Sequence, residues 1–91
     1  MLVVDDEPSV RKSTARLLRG AGLDVLEAGS PAEALTYADE PVEVILTDAV
    51  MPDVNGIELV ATAREAWPEA RILLISAGEP VAAVRRALQS P

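Results

Sequence analysis

The sequence predicts an α/β fold in which a doubly wound parallel sheet carries helices on both faces. Short apolar runs rich in β-branched residues alternate with segments of helical periodicity, and two of these runs end abruptly in aspartate. Continuous apolar runs of this kind are typical of strands buried on both faces of a parallel sheet. Alternating strands and helices favour right-handed crossovers, so we expect four strand–helix pairs in chain order.

The first pair joins a strand over residues 1–4 to a helix that begins at Pro8. Proline suits the first helical position because its missing N–H is not needed there. The predicted core-facing positions of this helix recur at helical spacing, and they are Val10, Thr14, Leu17, Leu18 and Ala21. Gly20 and Gly22 supply the stop.

The second strand is predicted over residues 24–27. Ser30-Pro31-Ala32-Glu33 reads as a capping box with proline at the first helical position, so a second helix begins there. We expect Leu35 and Ala38 to face the core and Pro41 to end the helix.

The second half of the chain repeats the pattern twice. The third strand is predicted over residues 44–48, and a turn-rich loop separates it from a third helix that Pro68 ends. The residues that mark this helix are Leu59, Val60, Ala63 and Trp67, of which Trp67 and Leu59 are expected in the core. The fourth strand covers residues 71–76 and should be buried on both faces. Pro80 then opens a fourth helix, which carries Val81, Val84 and Leu88.

Composition limits the kinds of partner. The chain has 91 residues, enough for one small domain, and its 8 basic and 15 acidic residues give a net charge of −7. That balance argues against nucleic-acid and anionic-membrane binding, which need clustered cations. The absence of cysteine excludes disulfides and thiolate metal sites. With no signal peptide or membrane span visible, we expect a soluble cytoplasmic domain.

Three aspartates follow predicted strands and point to a cation site. Asp5 and Asp6 come directly after the first strand, and Asp48 ends the third. The carboxyl ends of strands are where ligands bind in open α/β sheets. Converging carboxylates repel each other unless a cation or a raised pKa relieves the repulsion. The chain has no histidine or cysteine, so Mg²⁺, which prefers oxygen ligands, is the natural candidate. Taken alone, acids before a helix could instead cap it.

Three motifs, taken together, resemble the receiver domain of two-component response regulators and hybrid histidine kinases. They are Asp5-Asp6-Glu7-Pro8, the segment from Leu46 to Gly56 that reads Leu-Thr-Asp-Ala-Val-Met-Pro-Asp-Val-Asn-Gly, and Leu74-Ile75-Ser76-Ala77. The resemblance covers nearly the whole chain. It implies a flavodoxin-like fold with strand order 2-1-3-4-5.

The resemblance also implies roles for individual residues. Asp48 would accept a phosphoryl group from a phosphohistidine on a sensor histidine kinase or phosphotransfer domain. Asp5 and Asp6 would hold Mg²⁺, with Asp48 and the backbone carbonyl of Val50 as further ligands. Ser76 would donate a hydrogen bond to a phosphoryl oxygen. Such a module is a signalling phosphoacceptor and not a turnover enzyme.

The physical chemistry of the same residues agrees with these roles. A carboxylate can act as a nucleophile and form an acyl phosphate. Phosphoryl transfer depends mainly on positioning and on neutralising charge, which a bound Mg²⁺ supplies. In the implied strand order the first and third strands are neighbours, which brings Asp5, Asp6 and Asp48 within reach of one ion.

The sequence departs from the family pattern in two places. Family members carry a lysine at the end of a fifth strand, and nothing here matches it; Lys12 lies in the first helix and cannot substitute. We therefore expect residues 1–91 to be a receiver domain truncated before its fifth strand and helix. The apolar fourth strand needs a cover, either from chain beyond Pro91 or from another chain. Val50 is apolar, so we expect slow hydrolysis of a phosphorylated form.

Two other functions compete with the phosphoacceptor. A pseudo-receiver would keep the fold and act as a dimerisation or interaction domain, with a homodimer through the fourth helix and the exposed fourth strand. An Mg²⁺-dependent phosphatase of the haloacid dehalogenase type is disfavoured. Those enzymes place Asp-x-Asp after the first strand, and Val4-Asp5-Asp6-Glu7 does not fit.

Overall fold

The computed structural model describes residues 1–48, 56–75 and 80–89. Strands and helices alternate in this part of the chain, as the sequence predicts. The elements are β1 (Leu2–Val4), α1 (Pro8–Gly20), β2 (Leu26–Ala28), α2 (Pro31–Leu35), β3 (Val44–Asp48), α3 (Gly56–Ala66), β4 (Arg71–Ile75) and α4 (Pro80–Gln89).

The four strands form one sheet in the order β2-β1-β3-β4, and each neighbouring pair is parallel. This order confirms the predicted α/β class and the flavodoxin-like arrangement. The chain starts near the middle of the sheet, adds β2 on one side, and then crosses over β1 to add β3 and β4 on the other. As a result, β1 and β3 are neighbours although three other elements (α1, β2 and α2) separate them in sequence.

Two apolar clusters cover the two faces of the sheet. One contains Leu2 and Val4 of β1 with residues from α2 and α3, and the other contains Val3 with residues from α1 and α4. Successive side chains of a strand point to opposite faces, which explains how three consecutive residues divide between two cores. The helices therefore lie on both faces, as predicted.

The predicted helix starts are confirmed at Pro8, Pro31 and Pro80. At α2 the Ser30 hydroxyl accepts a hydrogen bond from the Glu33 N–H at 3.1 Å, as an N-cap should. The Glu33 carboxylate accepts in turn from the Gly29 N–H at 3.2 Å, one residue before the cap. The capping box thus holds both Ser30 and the preceding residue.

The predicted inner face of α2 is wrong. Leu35 is 47% exposed and Ala38 is exposed, whereas Ala34 is buried and Tyr37 is half-buried. The helix ends at Leu35, well before Pro41, and the chain continues in tight turns with Tyr37 N–H bonded to Ala34 O and Ala38 N–H to Leu35 O. These three-residue turns bring Ala34 and Tyr37 onto one face, and a spacing of 3.6 residues does not anticipate that phase.

The predicted inner face of α1 is only partly right. Leu18 is buried, but Val10 and Leu17 are 47% and 56% exposed. Ala15 is buried instead, and the side chain of Arg11 is 16% exposed one turn earlier. The inner stripe of α1 therefore passes through residues 11, 15 and 18, and an arginine occupies the position where an apolar residue was expected.

β2 begins two residues later than predicted. Its register with β1 pairs Leu2 with Leu26 and Val4 with Ala28. β1 has only three residues, and each of them pairs with one residue of β2, so β2 covers the three residues from Leu26 to Ala28. The segment 24–25 consequently lies before the strand.

The edge strand β4 does not have the burial that the sequence predicts. It ends at Ile75 rather than Ser76, and Leu74 is 66% exposed while Ile72 and Leu73 are half-buried. Within the described sheet β4 has β3 as its neighbour on one side. The side chains of a strand point to the two faces of the sheet, so an apolar run is buried only where other elements cover both faces. β3 matches its predicted bounds.

The predicted helices α3 and α4 are confirmed, but the expectation that Leu88 lies in the core is wrong. Leu59, Ala63, Trp67 and Val84 are all buried, while Val60 and Leu88 are 38% and 43% exposed. Trp67 follows the end of α3 and donates its Nε1–H to the Glu40 carbonyl at 2.9 Å. No helix in the described ranges is both long and apolar enough to cross a bilayer.

Candidate functional site

The register of β1 and β3 brings two of the predicted site residues to one edge of the sheet. Val4 lies opposite Thr47, the last registered pair of these parallel strands. The residue that follows Val4 is Asp5, and the residue that follows Thr47 is Asp48, which is the last residue of β3. Neighbouring strands are about 4.8 Å apart, so the two backbones run side by side at the carboxyl edge.

Asp5 is buried, and three of its hydrogen bonds lie within the described part of the chain. It is 5% exposed, and its N–H donates to the Ala28 carbonyl of β2 at 3.0 Å. Its Oδ1 accepts a hydrogen bond from the Glu7 N–H at 2.9 Å. Its carbonyl oxygen accepts from Nη1 of Arg11 at 3.0 Å. These contacts fix the main chain and the carboxylate of Asp5 together.

Simple helix capping does not account for this arrangement. The N-cap residue of α1 is Glu7, and its side chain makes no capping hydrogen bond. The Glu7 carboxylate instead accepts from the Ser9 hydroxyl at 3.0 Å. Asp5 lies two residues before the N-cap residue and accepts from the N–H of that residue, so it is not itself the cap of α1.

Asp6 is half-buried beside Asp5. Among the described residues its carboxylate makes no hydrogen bond or ion pair, so its oxygens are available to a ligand. The described side chains contain no group of three acids placed to hold an ion. Asp5 and Asp6 supply two carboxylates of the predicted set.

Three of the predicted positions lie wholly or partly outside the described residues. They are the Asp48 side chain, Val50 and Ser76. The structure therefore places Asp5, Asp6 and the Asp48 backbone at one edge, while the roles assigned to Val50 and Ser76 remain predictions.

Sequence reasoning missed Arg11, which is the described cation in contact with this edge. Besides donating to Asp5, its Nε lies 3.6 Å from Oε1 of Glu27 on β2. Lys12, the next residue, lines a surface groove with Arg16, Arg19 and Glu27 instead. The spacing along α1 could have revealed it, because residue 11 lies four residues before the buried Ala15 and seven before the buried Leu18, on the same face of the helix.

Comparison with known proteins identifies the family. A family model described as the response regulator receiver domain matches residues 1–90. The chain therefore belongs to the response regulator receiver domain family.

Relatives at the level of sequence include two proteins from Brucella abortus. The chain is 34% identical to the sensor kinase CckA over 79 residues and 34% identical to the response regulator receiver protein CpdR over 83 residues. The matches cover 84% and 90% of this chain, but 8% of CckA and 69% of CpdR. The chain thus spans less than a tenth of CckA.

Solved structures show the same fold. The receiver domain of the hybrid histidine kinase CckA gives a TM-score of 0.77 at 29% identity, covering 97% of this chain and 94% of that one. A response regulator from Burkholderia pseudomallei gives 0.72 at 30% identity, with coverage of 97% and 52%. That structure contains a phosphorylated aspartic acid, a calcium ion and citrate.

Proposed function

We propose that this chain is a phosphoacceptor module of two-component signal transduction, in which Asp48 receives a phosphoryl group from a phosphohistidine. The observation that carries the proposal is the register of β1 and β3, with Val4 opposite Thr47. It brings the backbones of the buried Asp5 and of Asp48 to the carboxyl edge of the sheet, and in open α/β sheets ligands bind at that edge. The phosphorylated aspartic acid in the Burkholderia pseudomallei relative supports the same chemistry.

Mg²⁺ is the ion we propose for this edge, and the described residues fit it. Asp5 and Asp6 present oxygen ligands, and the Asp6 carboxylate has no described partner that would compete. Asp48 and the Val50 carbonyl complete the proposed ligand set. When bound, the ion supplies positive charge that offsets the charge on the phosphoryl oxygens.

Asp48 supplies the nucleophile in the proposed transfer. A carboxylate oxygen forms a bond to phosphorus while the phosphorus–nitrogen bond of the donor breaks, and the imidazole nitrogen keeps the electron pair. The product is an acyl phosphate on Asp48. The Ser76 hydroxyl donates a hydrogen bond to a phosphoryl oxygen. Since the chain itself is modified, it acts as a signalling module and not as a turnover enzyme.

The proposed donor partner is a sensor histidine kinase or a phosphotransfer domain, and the proposed location is the cytoplasm, where the kinase has access to ATP. A second copy of this chain is a further proposed partner, through α4 and the edge of β4. The support for it is the 66% exposure of Leu74 on a strand that has one described neighbour. Such edges offer unpaired backbone groups to another strand.

The experiment that tests the proposal is incubation of the chain with Mg²⁺ and acetyl phosphate, followed by intact mass measurement. We expect a gain of one phosphoryl group that requires Mg²⁺ and is absent from the Asp48→Asn variant. An adduct that persists in that variant would exclude Asp48 as the acceptor. A chain that binds no Mg²⁺ and forms no adduct would contradict the proposal and favour an interaction domain.

A further inference from the structure

We propose that Arg11 is a positioning residue for the acidic site, because its guanidinium holds the peptide that joins Asp5 to Asp6. The two carboxylates are then oriented before a cation arrives. This inference rests on the proposed function, since it gives Arg11 its role at the metal site.

The contact is made to the main chain and not to a carboxylate. Nη1 of Arg11 donates to the Asp5 carbonyl oxygen at 3.0 Å. That carbonyl and the Asp6 N–H belong to one planar peptide unit. A hydrogen bond to the carbonyl therefore also restrains the orientation of the Asp6 N–H and the position of the Asp6 Cα. The other side of Asp5 is already tied to β2 by its N–H bond to Ala28 at 3.0 Å. Arg11 thus completes the restraint on the segment that carries both acids.

The ion pair with Glu27 does not by itself explain the position of the guanidinium. Nε of Arg11 lies 3.6 Å from Oε1 of Glu27, which is longer than a hydrogen bond. That same Nε is buried and has no hydrogen-bond partner among the described residues. A guanidinium placed to satisfy Glu27 would turn its donors toward that carboxylate. Here the short contact goes to Asp5.

Gly29 leaves the space that the guanidinium occupies. A Cβ added at Gly29 would lie 3.0 Å from Nη1 of Arg11 and 3.9 Å from its Cζ. The first distance is tighter than ordinary packing, so Nη1 of Arg11 would have to shift by a few tenths of an ångström to make room. The same Cβ would lie 3.4 Å from Oε2 of Glu33. The glycine directly after β2 and the arginine on α1 therefore form one arrangement around the Asp5 carbonyl.

Arg19 provides a matched control. It lies on the same helix, pairs with the same Glu27 at 3.1 Å, and also donates to a main-chain carbonyl, that of Val25, at 2.7 Å. Its described contacts do not include Asp5 or Asp6. Substituting methionine for either arginine removes one positive charge and one partner of Glu27. Only Arg11→Met also removes a hydrogen bond to Asp5.

The test measures Mg²⁺ binding to the whole chain by calorimetry, with the metal alone as the probe. We expect Arg11→Met to bind Mg²⁺ about 10-fold more weakly, as is typical when a group that orients a metal ligand is removed. Arg19→Met should stay close to the wild-type affinity. Loss of a nearby positive charge alone would strengthen cation binding, so the expected direction separates positioning from charge.

A second measurement needs no metal. The ¹H–¹⁵N heteronuclear NOE of the Asp6 amide, recorded in the metal-free chain, should fall in Arg11→Met and stay unchanged in Arg19→Met. If Arg11→Met does not fold, Gly29→Ala decides, with Gly20→Ala as its control because a Cβ at Gly20 meets nothing within 4 Å. We then expect weaker Mg²⁺ binding by the Gly29 variant.

Three results would overturn the inference. They are Mg²⁺ binding by Arg11→Met as tight as wild type or tighter, an equal loss in Arg11→Met and Arg19→Met, and an unchanged Asp6 amide. Absence of Mg²⁺ binding by the wild-type chain would overturn the proposed function and with it the metal role of Arg11. If the wild-type chain and Arg11→Met bind Mg²⁺ equally well, the role of Arg11 is overturned while the proposed function stands.

Discussion

At the scale of single residues, the two neighbouring aspartates are held very differently. Asp5 is 5% exposed and accepts the Glu7 N–H at 2.9 Å, whereas Asp6 is half-buried and has no described partner. Burying a carboxylate is costly unless hydrogen bonds compensate, so the contacts of Asp5 are part of the fold. The carboxylate of Asp6 makes no described contact that would stabilise the fold.

This difference predicts different stabilities of two isosteric variants in the absence of metal. Asp5→Asn should have a free energy of unfolding about 1–3 kcal/mol lower than that of Asp6→Asn. Both substitutions remove one of the converging negative charges, but only Asp5 accepts a hydrogen bond in a buried position. Urea denaturation with a chelator present measures both, and the two variants serve as controls for each other.

Addition of Mg²⁺ should then raise the stability of the wild-type chain, since a ligand that binds only the folded state stabilises it. Asp6→Asn should lose that gain while remaining folded. A stabilisation by Mg²⁺ that survives in Asp6→Asn would remove this residue from the metal site.

At the scale of elements, local sequence signals determined where helices begin. Pro8, Pro31 and Pro80 each open a helix, because proline and the N-cap act through atoms within one turn. The faces that helices bury were predicted less well. Leu35 is exposed because tight turns after α2 change which residues face the core. Leu17 is exposed because the inner face of α1 passes through Arg11, and the spacing of apolar residues does not reveal this.

The N-cap of α2 predicts a specific loss of stability. Ser30→Ala removes the hydroxyl that accepts from the Glu33 N–H at 3.1 Å, and should cost about 1 kcal/mol. Ser9→Ala is the matched control, because its hydroxyl bonds an exposed Glu7 side chain in the first turn of α1. Urea denaturation should show a clear loss for Ser30→Ala alone. Equal losses in both variants would indicate that the cap contributes nothing particular.

The junction of α3 with the segment before β3 depends on Trp67. Trp67→Phe keeps an aromatic ring in the buried site but leaves the Glu40 carbonyl without its donor, which sits 2.9 Å away. We expect a loss of about 0.5–1.5 kcal/mol, against about 3–5 kcal/mol for Trp67→Ala. Unfolding should be followed by far-ultraviolet circular dichroism, because both substitutions remove the single tryptophan and with it the tryptophan fluorescence. Equal losses would show that the hydrogen bond dominates over packing.

At the scale of the whole molecule, topology determined the site more reliably than packing did. The strand order puts β1 beside β3, and any aspartates that end these strands must meet at one edge. The placement of Asp5, Asp6 and the Asp48 backbone at that edge was therefore predictable from where apolar runs stop. Arg11 was not, because a basic residue near a helix start is usually solvated. Burial of β4 was overestimated because it depends on neighbours that a single run cannot specify.

The exposed edge of β4 predicts self-association. Leu74→Lys places a charge at the 66% exposed position and should weaken association of copies, as charged residues protect natural sheet edges. Leu88→Lys on α4, where Leu88 is 43% exposed, tests the helix component of the same surface. Sedimentation velocity over a range of concentrations measures both. A monomeric wild-type chain at all concentrations would contradict this proposal.

The most direct test of the central claim is to locate the phosphoryl group after reaction with acetyl phosphate and Mg²⁺. Reduction with borohydride converts an aspartyl phosphate to homoserine, and trypsin separates residues 1–11, which contain Asp5 and Asp6, from residues 20–64, which contain Asp48. We predict homoserine at position 48 and unmodified aspartates at positions 5 and 6. Modification of Asp5 or Asp6, or of no aspartate, would contradict the assignment of Asp48 as the acceptor.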